Sequence, residues 1–381
     1  MGCTTSIKTI QIIKIQLLLD EENTLNGLDN PRVARMTPDG YQVLVASADD
    51  DALAIYDLNK NFQLTFRTLF KNDALITGFR GATKLVISAD GGKAYLVSFY
   101  DSALVVFNKD SAGDFQYQQT ISDGVKWFKD DGRPVSVSQQ LDKLGLLGAY
   151  DIAISPDNLQ LYVASSASNA LSIFNLSSKN KVINEQIIRD NQDENYALQS
   201  AVSVIAAQDN THVFVASYEE NAVTVFTRSI TGKLEYLQTL RNEQNNIVQL
   251  LNPLGLATST DSKFIYVACS QAVVVFRKNN GKYDYLHSIS NSDVGVSGLS
   301  GAASLVLSTD ERYVFVASEM DGALVTLIRS ADGLLHFHSV LKKPELEGAS
   351  SVTLSTNGSY LFVTAGNEGN SLSTYEITHL R

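Results

Sequence analysis

The chain has 381 residues, 44% of them hydrophobic and 19% charged, which is the profile of a folded protein with a large core. Its formal net charge of -11 argues against a nucleic-acid partner, because phosphate backbones are held by clustered Lys and Arg. No run of about 18 uncharged apolar residues supplies a membrane-spanning helix, and two cysteines, Cys3 and Cys269, make neither a disulfide framework nor a structural zinc site.

In chain order, residues 1–6 (Met-Gly-Cys-Thr-Thr-Ser) admit three readings: a mature lipoprotein lipidated on Cys3, a myristoylation motif with Cys3 palmitoylated, or an uninformative start. The favoured address is the cell envelope or the exterior, as the lipoprotein reading implies. Residues 7–19 (IKTIQIIKIQLLL) read as an orphan strand.

From residue 31 onward one pattern recurs seven times. VLVASADDDALAIYDL, YLVSFYDSALVVFNKD and LYVASSASNALSIFNL are its first three copies, each a strand, a tight turn and a second strand. A turn marker precedes every copy: Asp39, Asp90, Asp157, Asp209, Asp261, Asp310 and Asn357, a mean step of 53 residues. That period fits a four-stranded propeller blade with its connections. Eight residues before each marker stands Pro or Ala (Pro31, Ala82, Ala149, Ala201, Pro253, Ala302, Ala349), as crowding of the innermost strands around an axis requires. The last copy ends at Arg381 without a fourth strand. The expected fold is therefore all-β, a seven-bladed β-propeller over residues 7–381 whose N-terminal strand completes the last blade and removes two open edges.

Sorting the connections by face gives a polar molecule. Loops between second and third strands carry Asp49, Asp50, Asp51, Asp101, Glu219, Glu220, Glu319, Asp321 and Glu368 with no Lys or Arg, so that face reads as acidic. Asp49, Asp50 and Asp51 are candidate calcium ligands, since hard cations take oxygen, although no twelve-residue calcium loop is present; no other cofactor is expected. The connection 122–148 is unusually long and holds Trp127, Phe128 and Arg133, a candidate lid or partner-docking loop on the same face. At the channel mouth the first strands offer Arg32, Arg35, Lys84, Tyr150 and Asp151, suited to orienting a small anion, with Lys84–Asp151 as the expected ion pair.

The segment SPDNLQLYVAS (155–165), followed by a turn and an apolar third strand, resembles the YVTN-type repeat, and residues 7–381 are similar to the lactonase-like seven-bladed family. That resemblance implies an activity of the 6-phosphogluconolactonase or carboxymuconate cyclase type, with histidine, arginine and glutamate near the axis. None of the five histidines, His212, His287, His336, His338 and His379, falls on a first strand. The leading expectation is accordingly a monomeric, non-catalytic binding or scaffold protein. It would take a protein, glycan or small anionic ligand on its acidic face and the 122–148 loop. The alternative is a lactonase-like hydrolase acting on an anionic lactone in the channel.

Overall fold

The computed structural model describes residues 10–20, 27–125, 141–177, 181–366 and 369–379. Among these, twenty-eight strands form seven antiparallel sheets of four, and two 3-10 turns, Asp190–Gln192 and Pro344–Leu346, are the helical content. No helix among the described residues is long and apolar enough to cross a membrane. Trp127, Phe128, Arg133 and Cys3 lie outside the described residues.

Each repeat builds one blade for a simple reason. Its second strand, such as Gln42–Ser47, Gln160–Ser165 or Tyr313–Ser318, is buried at every position, because a strand inside a blade is covered on both faces by neighbouring blades. Val, Leu, Phe and Tyr suit a pleated surface buried on both sides. Between blades the aromatic rings interlock, as where Phe107 meets Phe70 of the preceding blade edge-on at 5.2 Å.

The marker turns are held by their own side chains. The hydroxyl of Thr37, Ser155, Ser259 or Ser308 donates to the carboxylate two residues on, at 2.5–2.7 Å. The same serine accepts the amide five residues ahead, as Ser155 does from Gln160 at 2.9 Å. The marker carboxylates also reach the next blade. Asp39 pairs with Lys109 at 2.9 Å, Asp157 with Arg228 at 2.9 Å and Asp209 with Lys278 at 3.5 Å.

The ring closes as the sequence predicts. Ile10–Leu19 pairs antiparallel with Ser371–His379, giving the last blade its outer strand. The join is sealed from both sides, by Lys14 on Glu345 at 2.6 Å and by a reciprocal pair between Gln16 and the backbone of Leu64, at 3.0 and 2.6 Å. Gln186 on Leu234 and Gln238 on Tyr283 make the equivalent bridge between other blades, and His287 on Leu335 and His338 on Ile10 take that place elsewhere. Two of the five histidines are thus ties between outer strands.

The acidic face is more nearly neutral than its loops suggest. The last residue of a fourth strand lies beside the start of the third, so Lys71 reaches Asp50 at 2.6 Å and Lys342 reaches Asp321 at 2.8 Å, and Arg241 pairs with Glu220. Asp51 accepts the amide of Gly81 at 2.7 Å. The carboxylates of Asp50 and Asp51 are therefore committed to separate partners instead of converging, and no group of three or more metal-ligating side chains forms among the described residues.

Candidate active site in the central channel

Seven first strands surround the axis, and six of them carry a bulge between their first and third residues. A bulge sets two consecutive residues against one on the partner strand and re-aims their side chains. Blade 5 is the exception: Pro253 stands before its first strand, which starts at Gly255 and pairs without a shift. A Cβ on Gly255 would lie 2.7 Å from the Ala303 carbonyl oxygen, so the axis is crowded there as expected.

Two layers of charge occupy the channel. In the outer layer Arg32 of blade 1 donates to Glu319, on the second-to-third-strand loop of blade 6, at 3.1 Å. Burial opposes the Arg32 charge, but Tyr150 of blade 3 and Glu319 together outweigh it and raise its pKa. Tyr150 is held edge-on to Phe99 at 6.2 Å. Blades 1, 3 and 6 are not neighbours, so this group spans the channel at its acidic end.

The inner layer holds Arg35, Lys84 and Asp151, which border a cavity of about 530 Å³. Asp151 leans toward blade 4: one carboxylate oxygen accepts the Ser203 hydroxyl and the Val204 amide, each at 3.0 Å, and the other accepts the Ile152 amide at 2.8 Å. With its lone pairs so engaged it does not pair with Lys84, and the expected Lys84–Asp151 ion pair is absent. The Lys84 ammonium makes no hydrogen bond and no ion pair with the described residues. Burial pushes its pKa from 10.5 down to about 8; Asp151 opposes the drop, while Arg35 and Arg32 add to it. Arg35 donates to Thr353 Oγ1 at 2.5 Å and to its neighbour's carbonyl, Ala34, at 3.2 Å, without a carboxylate partner. Burial lowers its pKa as well, yet a guanidinium keeps its proton in proteins.

This cavity faces the opposite way from the mouth inferred from sequence. Its border runs from Lys84 and Asp151 to the exposed side chains of Gln208, Thr260 and Thr309, which lie in turns between first and second strands. The way in is therefore on the face away from the acidic loops. The site residues read from sequence divide accordingly: Arg35, Lys84 and Asp151 meet in the cavity, whereas Arg32 and Tyr150 interact at the acidic end, outside its border. Glu319, Ser203 and Thr353 complete the set. Glu319 reads from sequence as one more acidic loop residue; its signal was its place directly after the second strand, whose last residue, Ser318, pairs with the start of the innermost strand at Ala302. The remaining histidines lie off the axis, His212 on a second strand, His336 on a fourth and His379 at the end of a third.

Seven four-stranded blades form a ring around a channel lined by cationic and apolar side chains, the architecture of a β-propeller. The chain belongs to the lactonase seven-bladed β-propeller family, whose model matches residues 26–191 and 186–380. It is 23% identical over 229 residues to a 6-phosphogluconolactonase of Yersinia pestis, a match that spans 58% of this chain and 64% of the relative. Among solved structures it is similar to the periplasmic gluconolactonase PpgL of Pseudomonas aeruginosa (TM-score 0.65, 13% identity, covering 92% of this chain and 89% of that one). It is equally similar to Kuenenia stuttgartiensis hydrazine synthase (TM-score 0.65, 14% identity, 95% and 99% covered), so the fold by itself does not select a chemistry. The curated relatives and the family are lactonases, and this overturns the expectation of a non-catalytic scaffold acting through its acidic face.

Proposed function

We propose that the protein is a lactonase-type hydrolase that opens an anionic lactone in the central channel. One observation carries the reading: two cations, Arg35 and Lys84, border a cavity with no carboxylate paired to either, in a chain of a lactonase family. Buried charges are ordinarily paired, and a site built to receive an anion leaves its cations free until the anion arrives.

The chemistry needs one proton moved twice. With a pKa of about 8, roughly one Lys84 in ten is neutral at pH 7. That amine takes a proton from water as the water oxygen adds to the lactone carbonyl carbon. The resulting ammonium returns the proton to the ring oxygen as the ring C–O bond breaks, giving the hydroxy acid, whose own proton passes to solvent. Arg35, permanently charged and fixed by Thr353, holds the anionic substituent. Asp151, fixed by three donors, limits how far the Lys84 pKa falls.

Hydrolysis of a panel of lactones, 6-phosphoglucono-δ-lactone and carboxylate-bearing γ-lactones among them, followed in a pH-stat, tests this. The expected result is turnover in the wild type that falls at least a hundredfold in Arg35→Met and Lys84→Met. Absence of turnover on every anionic lactone, or unchanged rates in both variants, refutes it.

A further inference from the structure

The cavity is two-sided in a way that bears on what the anion is attached to. At the depth of Arg35 the corresponding residues of the other six first strands are Val86, Ala153, Ile205, Ala257, Val306 and Thr353. Five of the six are apolar. Three of those, Ile205, Ala257 and Val306, border the cavity across from the cations, joined by Leu256 and Leu307. The side-chain polar groups there are already engaged or buried: Ser203 donates to Asp151 at 3.0 Å, Ser304 accepts the Val352 amide at 3.3 Å, Ser308 donates to Asp310 at 2.7 Å, Thr353 is committed to Arg35 and the Ala34 carbonyl at 2.5 and 2.7 Å, and the Thr258 hydroxyl oxygen is itself buried. Beyond them the backbone edges of the strands remain. At the rim the lining becomes polar again, with Gln208, Thr260, Thr309 and Glu311.

A sugar acid carries a hydroxyl on nearly every carbon. Each hydroxyl set against Ile205, Ala257 or Val306 gives up its water and gains no side-chain partner, which a site penalises as strongly as it rewards a matched pair. An aliphatic or alicyclic chain at the same place gains by leaving water. We infer that the channel selects an amphipathic anion, a lactone with an anionic group at one end and an apolar substituent at the other, over a polyhydroxylated sugar lactone. The inference rests on the reading of Arg35 and Lys84 as the anion site and specifies the substrate class of that site.

Calorimetric titration of the whole chain with acetate, butanoate, hexanoate and gluconate separates the two ideas without requiring turnover. Affinity is expected to rise from acetate to hexanoate by about two- to fourfold per buried methylene. Hexanoate should bind at least tenfold more tightly than gluconate, and every affinity should drop at least tenfold in Lys84→Met. Val306→Thr, a near-isosteric change whose melting curve verifies folding, should flatten the chain-length series. A flat series in the wild type, or gluconate equal to or tighter than hexanoate, overturns the amphipathic selection and leaves the anion site standing. Binding indifferent to Lys84→Met, or no binding of any of the four anions, overturns the anion site itself and with it the proposed function.

Discussion

Replacing Lys84 by Met is expected to stabilise the fold while it removes activity. Methionine keeps the length of the stem and takes away the charge. A lysine held at about 8 instead of 10.5 carries a penalty on its charged form of roughly 3 kcal/mol. The side chain is only partly buried, and cavity water screens it, so about 1–2 kcal/mol is expected in the variant's favour at pH 7. The gain depends on pH with a definite sign. Below pH 8 the lysine is protonated in both folded and unfolded chains, and the folded state carries the full penalty. Between about pH 8 and 10.5 the folded chain has lost the proton while the unfolded chain keeps it, so wild-type stability rises and the advantage of the variant shrinks. Urea denaturation of both proteins at pH 7, 9 and 10.5 measures the difference. A variant less stable than wild type at pH 7, or a difference that does not change with pH, refutes the assignment of Lys84 as an unpaired, partly desolvated cation.

Other parts of the structure give predictions of their own. Asp142, 2% exposed, is held by Arg189 at 2.8 Å, so Arg189→Met should cost about 3–5 kcal/mol in a denaturant melt, and adding Asp142→Leu should recover more than half. Gln16→Leu breaks the two-way tie to Leu64 and should cost about 1–2 kcal/mol, with a smaller effect pointing to a slack closure. Deleting residues 1–19 should lower the melting temperature sharply, because the last blade then exposes the edge of Ser371–His379; an unchanged melt would contradict the closure. Cys269 is fully buried and its thiol pKa is pushed up by that burial, so peptide mapping after iodoacetamide treatment at pH 8 should find it unmodified in native protein and alkylated in urea.

What the sequence made legible was whatever repeats. Seven turn markers, small residues near the axis and an orphan N-terminal strand fixed the number of blades and the way they close, because each blade solves the same packing problem. The site was legible only as a set of polar residues on first strands. Its wiring depends on contacts no local pattern encodes. Asp151 is taken by Ser203 and Val204 of the next blade, some fifty residues away, and so Lys84 stands unpaired. Glu319 and Arg32 meet across 287 residues of chain. The acidic face misled for a related reason: Lys71, Arg241 and Lys342 sit at the ends of fourth strands, and only the ladder shows that they lie against loops 21 residues earlier. The direction of the cavity was likewise a property of the assembled ring, since its border runs to turns between first and second strands, away from the end that the loop composition had marked as the mouth.

The most direct measurement is a crystal structure with a hydrolysis-resistant lactam analogue of an anionic lactone. Its anionic group should lie within hydrogen-bonding distance of Arg35, with the lactam carbonyl beside Lys84 in the cavity that opens toward Gln208, Thr260 and Thr309. Occupancy on the acidic face outside the Arg32–Glu319 pair, with the inner cations untouched, would contradict the placing of catalysis in the channel.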